Sequence, residues 1–381
     1  SASVTDAAGN SASADHSVRV DGALPTVTIN AVAIDDTINA AEVASGQTLS
    51  GKVSGAASGD TVTINVGGNR FTATVQDDLS WSVNVPSDVL TALGNRELTV
   101  SASVTNGVGN TGSGARDITI DASLPGLRVN TVAGDDVINS IEHAQNLIIT
   151  GSSEGLASGT ALSVNVNGKN YAATVLADGT WTAAIPASDV SALGAGTVTV
   201  TVTGQSTAGN PVSISHDVKV DLATVAISVD AIAADDVINA AEKGADLVLS
   251  GTTTNVEENQ TVHITFGGRS YTATVDASGH WTATVPSADL GSLKDGDASV
   301  QVSVTNVNGN SASAGREYSV DATAPTLSIE IVSDNNIINA AEAQQDLVVN
   351  GVTNAEAGQT VTVTLNGVSY TTAVQAGGAW S

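Results

Sequence analysis

Every second residue is apolar in TVTINV (61–66), ALSVNV (161–166), TVHITF (261–266) and TVTVTL (360–365). A period of two puts one set of side chains on one face of a pleated strand, so each run predicts a half-buried β-strand. Two Gly or Asn residues follow each run, at 67–68, 167–168, 267–268 and 366–367, and such pairs are the strongest short hairpin signal. The returning strands are RFTATV (70–75), NYAATV (170–175), SYTATV (270–275) and SYTTAV (369–374). A second turn, such as ADGT (177–180), leads into a strand of the type WTATVP (281–286), which stops at a proline. A short segment comes next, SDVLTALG (87–94) or SADLGSLKDG (287–296), with Ser and Asp placed to cap a helical turn. ELTVSASVTN (97–106) and ARDITID (115–121) complete the set. About seven short strands, frequent turn signals and no long helical period predict an all-β fold, an antiparallel sandwich of the immunoglobulin kind.

The pattern repeats about every 100 residues. Trp81, Trp181, Trp281 and Trp380 mark the beat, as do Asp21, Asp121, Asp221 and Asp321, and Asn10, Asn110, Asn210 and Asn310. That length suits one independently folding domain and exceeds a solenoid unit. The expected organisation is a tandem, elongated array: 1–21 as the end of one copy, complete copies at 22–121, 122–221 and 222–321, and 322–381 as the start of another. The two partial copies are expected to be the less stable ones.

The chain carries 39 acidic and 12 basic residues, a net charge of −27. That balance argues against nucleic-acid binding, which needs a basic footprint, and against anionic membrane surfaces. With no cysteine, disulfides and thiolate metal sites are excluded. No apolar run approaches the ~18 residues of a membrane span. Aromatic residues make up 3% of the chain, so Val, Ile, Leu and Ala must build the cores, with one Trp per copy as the large anchor.

Acidic residues gather around the borders between copies. DDTINAAE (35–42), DDVINSIE (135–142), DDVINAAE (235–242) and NNIINAAE (335–342) recur on the beat. The first border is expected to bring together Asp6, Asn10, Asp21, Asp35, Asp36, Asn39 and Glu42. The second would gather Asn106, Asn110, Asp121, Asp135, Asp136, Asn139 and Glu142. The third would gather Ser206, Asn210, Asp221, Asp235, Asp236, Asn239 and Glu242. The fourth would gather Asn306, Asn310, Asp321, Asp334, Asn335, Asn336, Asn339 and Glu342. Clustered carboxylates repel unless a cation sits among them. Oxygen-only donors with several carboxylates suit Ca²⁺ better than Mg²⁺ or zinc. The fourth set, with Asn–Asn in place of Asp–Asp, should bind most weakly. NAAE also reads as a capping box, which would account for Asn39 and Glu42 without any ion. Val225 stands where Pro25, Pro125 and Pro325 stand in the other linkers, so the third linker should be the least stiff.

The pattern TDxxGN…VDxxxP…DDxINxxE…YTATVxxDGxWTxxVP resembles the bacterial Ig-like repeats of giant Gram-negative surface adhesins, the large biofilm-associated proteins among them. The resemblance covers the whole chain. It implies a type I-secreted, extracellular cell-surface protein that supports biofilm formation and adhesion, with calcium between domains stiffening the stalk. The partners it implies are calcium, neighbouring repeats of the same chain and cell-surface or matrix components. The leading reading is thus a calcium-stiffened spacer. A second is that each domain itself grips a carbohydrate or protein partner. An enzyme is not expected, because no Ser/His/Asp constellation or P-loop is present and the five histidines are read as sharing no repeat position.

Overall fold

A computed structural model describes residues 1–381. Contacts divide the chain into two compact units, Ser1–Asp221 and Leu222–Ser381. No helix is long and apolar enough to cross a membrane.

In the first unit, residues 26–120 form a two-sheet sandwich. The smaller sheet has the order Thr26–Val27, Gln47–Ser54, Ser80–Val85. The larger one has the order Thr37–Ile38, Thr111–Ile120, Arg96–Thr105, Thr61–Val66, Asn69–Thr74. The same order recurs for residues 126–220. The predicted alternation is realised: Val62, Ile64 and Val66 are buried, and so are Leu162, Val164 and Val166. The hairpin pairs Gly67–Gly68 and Asn167–Gly168 all have positive φ, as the tight two-residue turn requires. Trp81 and Trp181 fill the space between the sheets and are almost fully buried. Ala2–Thr5 and Ser11–Ala14 form a separate hairpin.

The second unit repeats the sandwich over residues 226–321, with Val262, Ile264 and Phe266 inward and Trp281 in the core. Here Phe266 stacks on Tyr318 with ring centroids 4.9 Å apart. Residues 327–380 carry a three-stranded and a two-stranded sheet, with Trp380 buried.

Two details depart from expectation. The sandwiches are not wholly antiparallel: Thr37–Ile38 runs parallel to Thr119–Ile120, and Val137–Ile138 and Val237–Asn239 pair in the same way with the ends of their own last strands. These short strands bring the number in each sandwich to eight. The segment after each Trp strand is helical, but its N-cap position is Pro86, Pro186 or Pro286 and makes no side-chain cap. A proline there fixes φ, and the following Ser or Ala lies inside the helix.

Candidate functional site

The octapeptide sits where the chain crosses from the small sheet to the large one. The first strand does not run straight into it. After Asn30 the backbone turns through left-handed conformations at Ala33, Ile34 and Asp36. Asp36 closes this turn, its N–H donating to Val32 O (2.8 Å) and its Oδ1 accepting from Val32 N (3.0 Å). Asp136, Asp236 and Asn336 make the same side-chain bond to Val132, Ile232 and Val332. The first acid of each pair has a smaller task. Asp35, Asp135, Asp235 and Asn335 each accept the main-chain N–H two residues on.

The carboxylate of the second acid is already paired within its own sandwich. Arg116, on the last strand, donates Nε and Nη2 to Asp36 at 2.5 Å each and Nη1 to Ile29 O at 3.2 Å. Arg316 does the same to Asp236 (2.7 Å twice) and Val229 O. In the second sandwich His216 Nε2 lies 2.6 Å from Asp136 Oδ1. The Arg116 and Val32 hydrogen bonds hold the Asp36 carboxyl below its usual value. The Arg316 and Ile232 bonds lower Asp236 to about 2. Burial pushes Asp136 up, but the His216 and Val132 bonds outweigh it and the net shift is downward. Asp36, Asp136 and Asp236 are therefore clasps of the crossover, and the expectation that they reach a domain border is corrected. The arginine and histidine partners were missed in the sequence, although position 16 of the beat reads His16, Arg116, His216, Arg316. Two histidines thus do share a repeat position.

Asn39 and Glu42 form the capping box: Asn39 Oδ1 accepts from Glu42 N (3.0 Å) and Glu42 Oε2 from Asn39 N (2.9 Å). The pair caps the helix Ala40–Ser45. Asn139 with Glu142, Asn239 with Glu242, and Asn339 with Glu342 make the same two bonds.

The loop before the last strand is also self-closing. Asp6 accepts from Ala8 N, Asn10 N and Asn10 Nδ2, and its carboxyl is lowered chiefly by the Asn10 side chain. Asn106, Ser206 and Asn306 accept the N–H of Asn110, Asn210 and Asn310. This loop does not lie at the end expected. The last strand, Thr111–Ile120, carries the chain about 34 Å at ~3.4 Å per residue, so Asn106 and Asn110 stand at the far end of the sandwich from Asp121. Asn110 Nδ2 donates instead to Asp21 O (2.8 Å) and Ala23 O (3.2 Å).

Within Ser1–Asp221 the grouping is corrected accordingly: the border combines the octapeptide of the first sandwich, the linker after it and the loop of the second. Asp121 N donates to Ile38 O (3.0 Å). Asn210 Nδ2 donates to Asp121 O (2.8 Å), and Asn210 Oδ1 accepts from Ala40 N (2.7 Å). Asn39, Glu42, Asp121, Ser206 and Asn210 thus meet there. Asn95 steadies the linker by accepting from Ala122 N and donating to Ser123 Oγ.

The other candidates have local partners. Asp21 lies 3.4 Å from Arg19, Asp121 accepts from Ser123 N, and Asp221 lies 3.1 Å from Lys219. Asp321 ends a strand, and Asp334 sits in the left-handed crossover turn. No three His, Asp or Glu side chains gather in a way that could hold a metal by themselves.

Neither a family model nor a curated protein matches the sequence. Solved structures do. A Ca²⁺-stabilized adhesin that helps an Antarctic bacterium reach out and bind ice is 33% identical over 94% of this chain and 90% of its own, with a TM-score of 0.40. A structure concerned with host-surface retention of a 1.5-MDa bacterial ice-binding adhesin is 32% identical over 79% of this chain and 98% of its own, with a TM-score of 0.41. A tetra-tandem repeat from the extending region of a large adhesion protein is 28% identical over 93% and 89%, with a TM-score of 0.34. Identity of 32–33% over at least 79% of this chain and at least 90% of the relatives' own assigns the chain: it belongs to the immunoglobulin-like tandem repeats of large bacterial adhesins.

Proposed function

We propose that this chain is an extending segment of a cell-surface adhesin that supports biofilm formation and cell adhesion, stiffened by calcium at the borders between its repeats. The observation that carries the reading is the 33% identity to a Ca²⁺-stabilized adhesin over 94% of the chain. The adhesin relatives also support a cell-surface or extracellular location and a structural rather than catalytic role. A chain without cysteine can be exported unfolded with no thiol chemistry to protect, in keeping with type I secretion.

The donor chemistry at the border between the first two sandwiches fits a hard cation. Glu42 and Asp121 bring carboxylates, and Asn39 and Ser206 bring neutral oxygens. Two carboxylates with amide, hydroxyl and main-chain oxygens are the kind of set calcium accepts. At free calcium about tenfold above Kd, one site favours the ligated form by about 1.4 kcal/mol. That is small for a fold but large for a hinge.

The test is small-angle scattering and thermal melting of the chain with millimolar calcium and with chelator. Calcium should lengthen the particle and raise its melting point, with Kd on the order of 10⁻⁴–10⁻³ M. A length and melting point indifferent to chelator would remove calcium from the proposal.

A further inference from the structure

We infer that Asn210 is an ion-independent latch that fixes the second sandwich to the first by capping a helix of its neighbour. The helix Ala40–Ser45 begins with main-chain N–H groups that have no partner inside the helix. Its own capping box serves Glu42 N and Asn39 N. The amide of Ala40, the first helical residue, is served from the other sandwich, by Asn210 Oδ1 at 2.7 Å and 170 residues away. The amino half of the same side chain donates to Asp121 O at 2.8 Å. One side chain therefore bonds the helix start and the linker together. It does so out of solvent, since Asn210 is 0% exposed. A buried amide that lost these partners would be left unsatisfied, so separation of the two sandwiches is opposed without any cation.

Two further observations agree. The linker half of the latch recurs one repeat earlier, where Asn110 Nδ2 donates to Asp21 O. The loop is also buried by docking: Ala208 is 4% exposed, whereas Val108, at the same position in the first sandwich, is 61% exposed. The latch goes beyond the calcium reading and does not depend on it.

The experiment uses the full chain, which has no native cysteine, with spin labels at Thr72→Cys and Ala172→Cys, both on exposed strand positions. Pulsed electron resonance in chelator reads the distance distribution between the first and second sandwiches, and amide exchange reads Ala40. Wild type should give a narrow distribution. Asn210→Ala should broaden it and speed exchange at Ala40 roughly tenfold while core amides such as Val164 hold. If Asn210→Ala fails to fold, Ala40→Pro decides. Proline is tolerated at the first helical position, and it removes only the N–H that Asn210 accepts; it too should broaden the distribution. Unchanged exchange at Ala40 in Asn210→Ala would overturn the latch. A wild-type distribution that is broad in chelator and narrows on adding calcium would also overturn it and leave the calcium reading standing. A distribution narrow in chelator and unmoved by calcium would do the reverse.

Discussion

The guanidinium of Arg116 meets the carboxylate of Asp36 through two hydrogen bonds of 2.5 Å, eighty residues apart in sequence. Arg316 meets Asp236 in the same way at 2.7 Å. Each pair locks the crossover between sheets to the last strand of its own sandwich, and each acts through a carboxylate that must stay ionised.

Acid should therefore act on the clasp. The folded-state value of Asp236 is lowered from 3.8 to about 2. A lowered carboxyl contributes stability that is present in full above its unfolded value and is lost as pH falls through the folded one. The third sandwich should lose this contribution between about pH 4 and 2. Arg316→Gln, which removes the first cause of the shift, should flatten the slope of stability in that window. Denaturant melts at stepped pH, followed by amide exchange at Val300, provide the check; identical slopes would refute the role given to Arg316.

His216 leaves the second sandwich with a shorter clasp. It reaches Asp136, whereas Arg116 and Arg316 also donate to the carbonyls of Ile29 and Val229. His216→Arg should add the missing bond and stabilise that sandwich. Both groups are about a third exposed, so the gain is discounted to under about 1 kcal/mol. A urea midpoint that falls would count against the comparison.

A glycine faces each tryptophan. Gly151 pairs across the sheet with Trp181, and a Cβ there would sit 2.0 Å from Arg128 O and 2.3 Å from Trp181 Cζ2. Gly168, in the hairpin turn, has open space but a φ of 79°. Gly151→Ala should cost about 3 kcal/mol by overpacking, and Gly168→Ala about 1 kcal/mol by backbone strain. Urea titration monitored at Trp181 separates the two, and a larger loss at Gly168 would contradict the steric account.

Much of the fold was legible because its signals are local. Alternation at 61–66, paired Gly or Asn at 67–68 and the Pro after each Trp strand depend on neighbours in sequence. NAAE was legible as a capping box for the same reason. The parallel pairing of Thr37–Ile38 was not, because two residues carry no period. The border was misread for a geometric reason: the loop at 106–110 precedes Asp121 by only a dozen residues, but those residues form one extended strand that spans the sandwich. The Arg116 clasp lay eighty residues from its partner, and only its place on the beat could have disclosed it. Asn210 reads in sequence as part of a recurring GN turn, and nothing in that turn marks it as reaching Ala40.

The corrected border changes which substitutions should weaken calcium. Glu42→Gln with Asp121→Asn removes both carboxylates at the border of the first two sandwiches. Glutamine can keep the capping-box bond to Asn39 N, so the helix should persist. Calorimetric titration should show that border's affinity falling at least tenfold, about 1.4 kcal/mol. Asp35→Asn should leave affinity unchanged, because Asp35 lies in the crossover ahead of the Thr37–Ile38 strand, at the opposite end of that strand from Asp121. Asp36→Asn should instead lower the stability of the first sandwich, since it strips the charge that Arg116 holds. If Asp35→Asn or Asp36→Asn abolished calcium uptake while the Glu42 and Asp121 double variant bound normally, the ion would belong to the crossover loop and the border would need another source of stiffness.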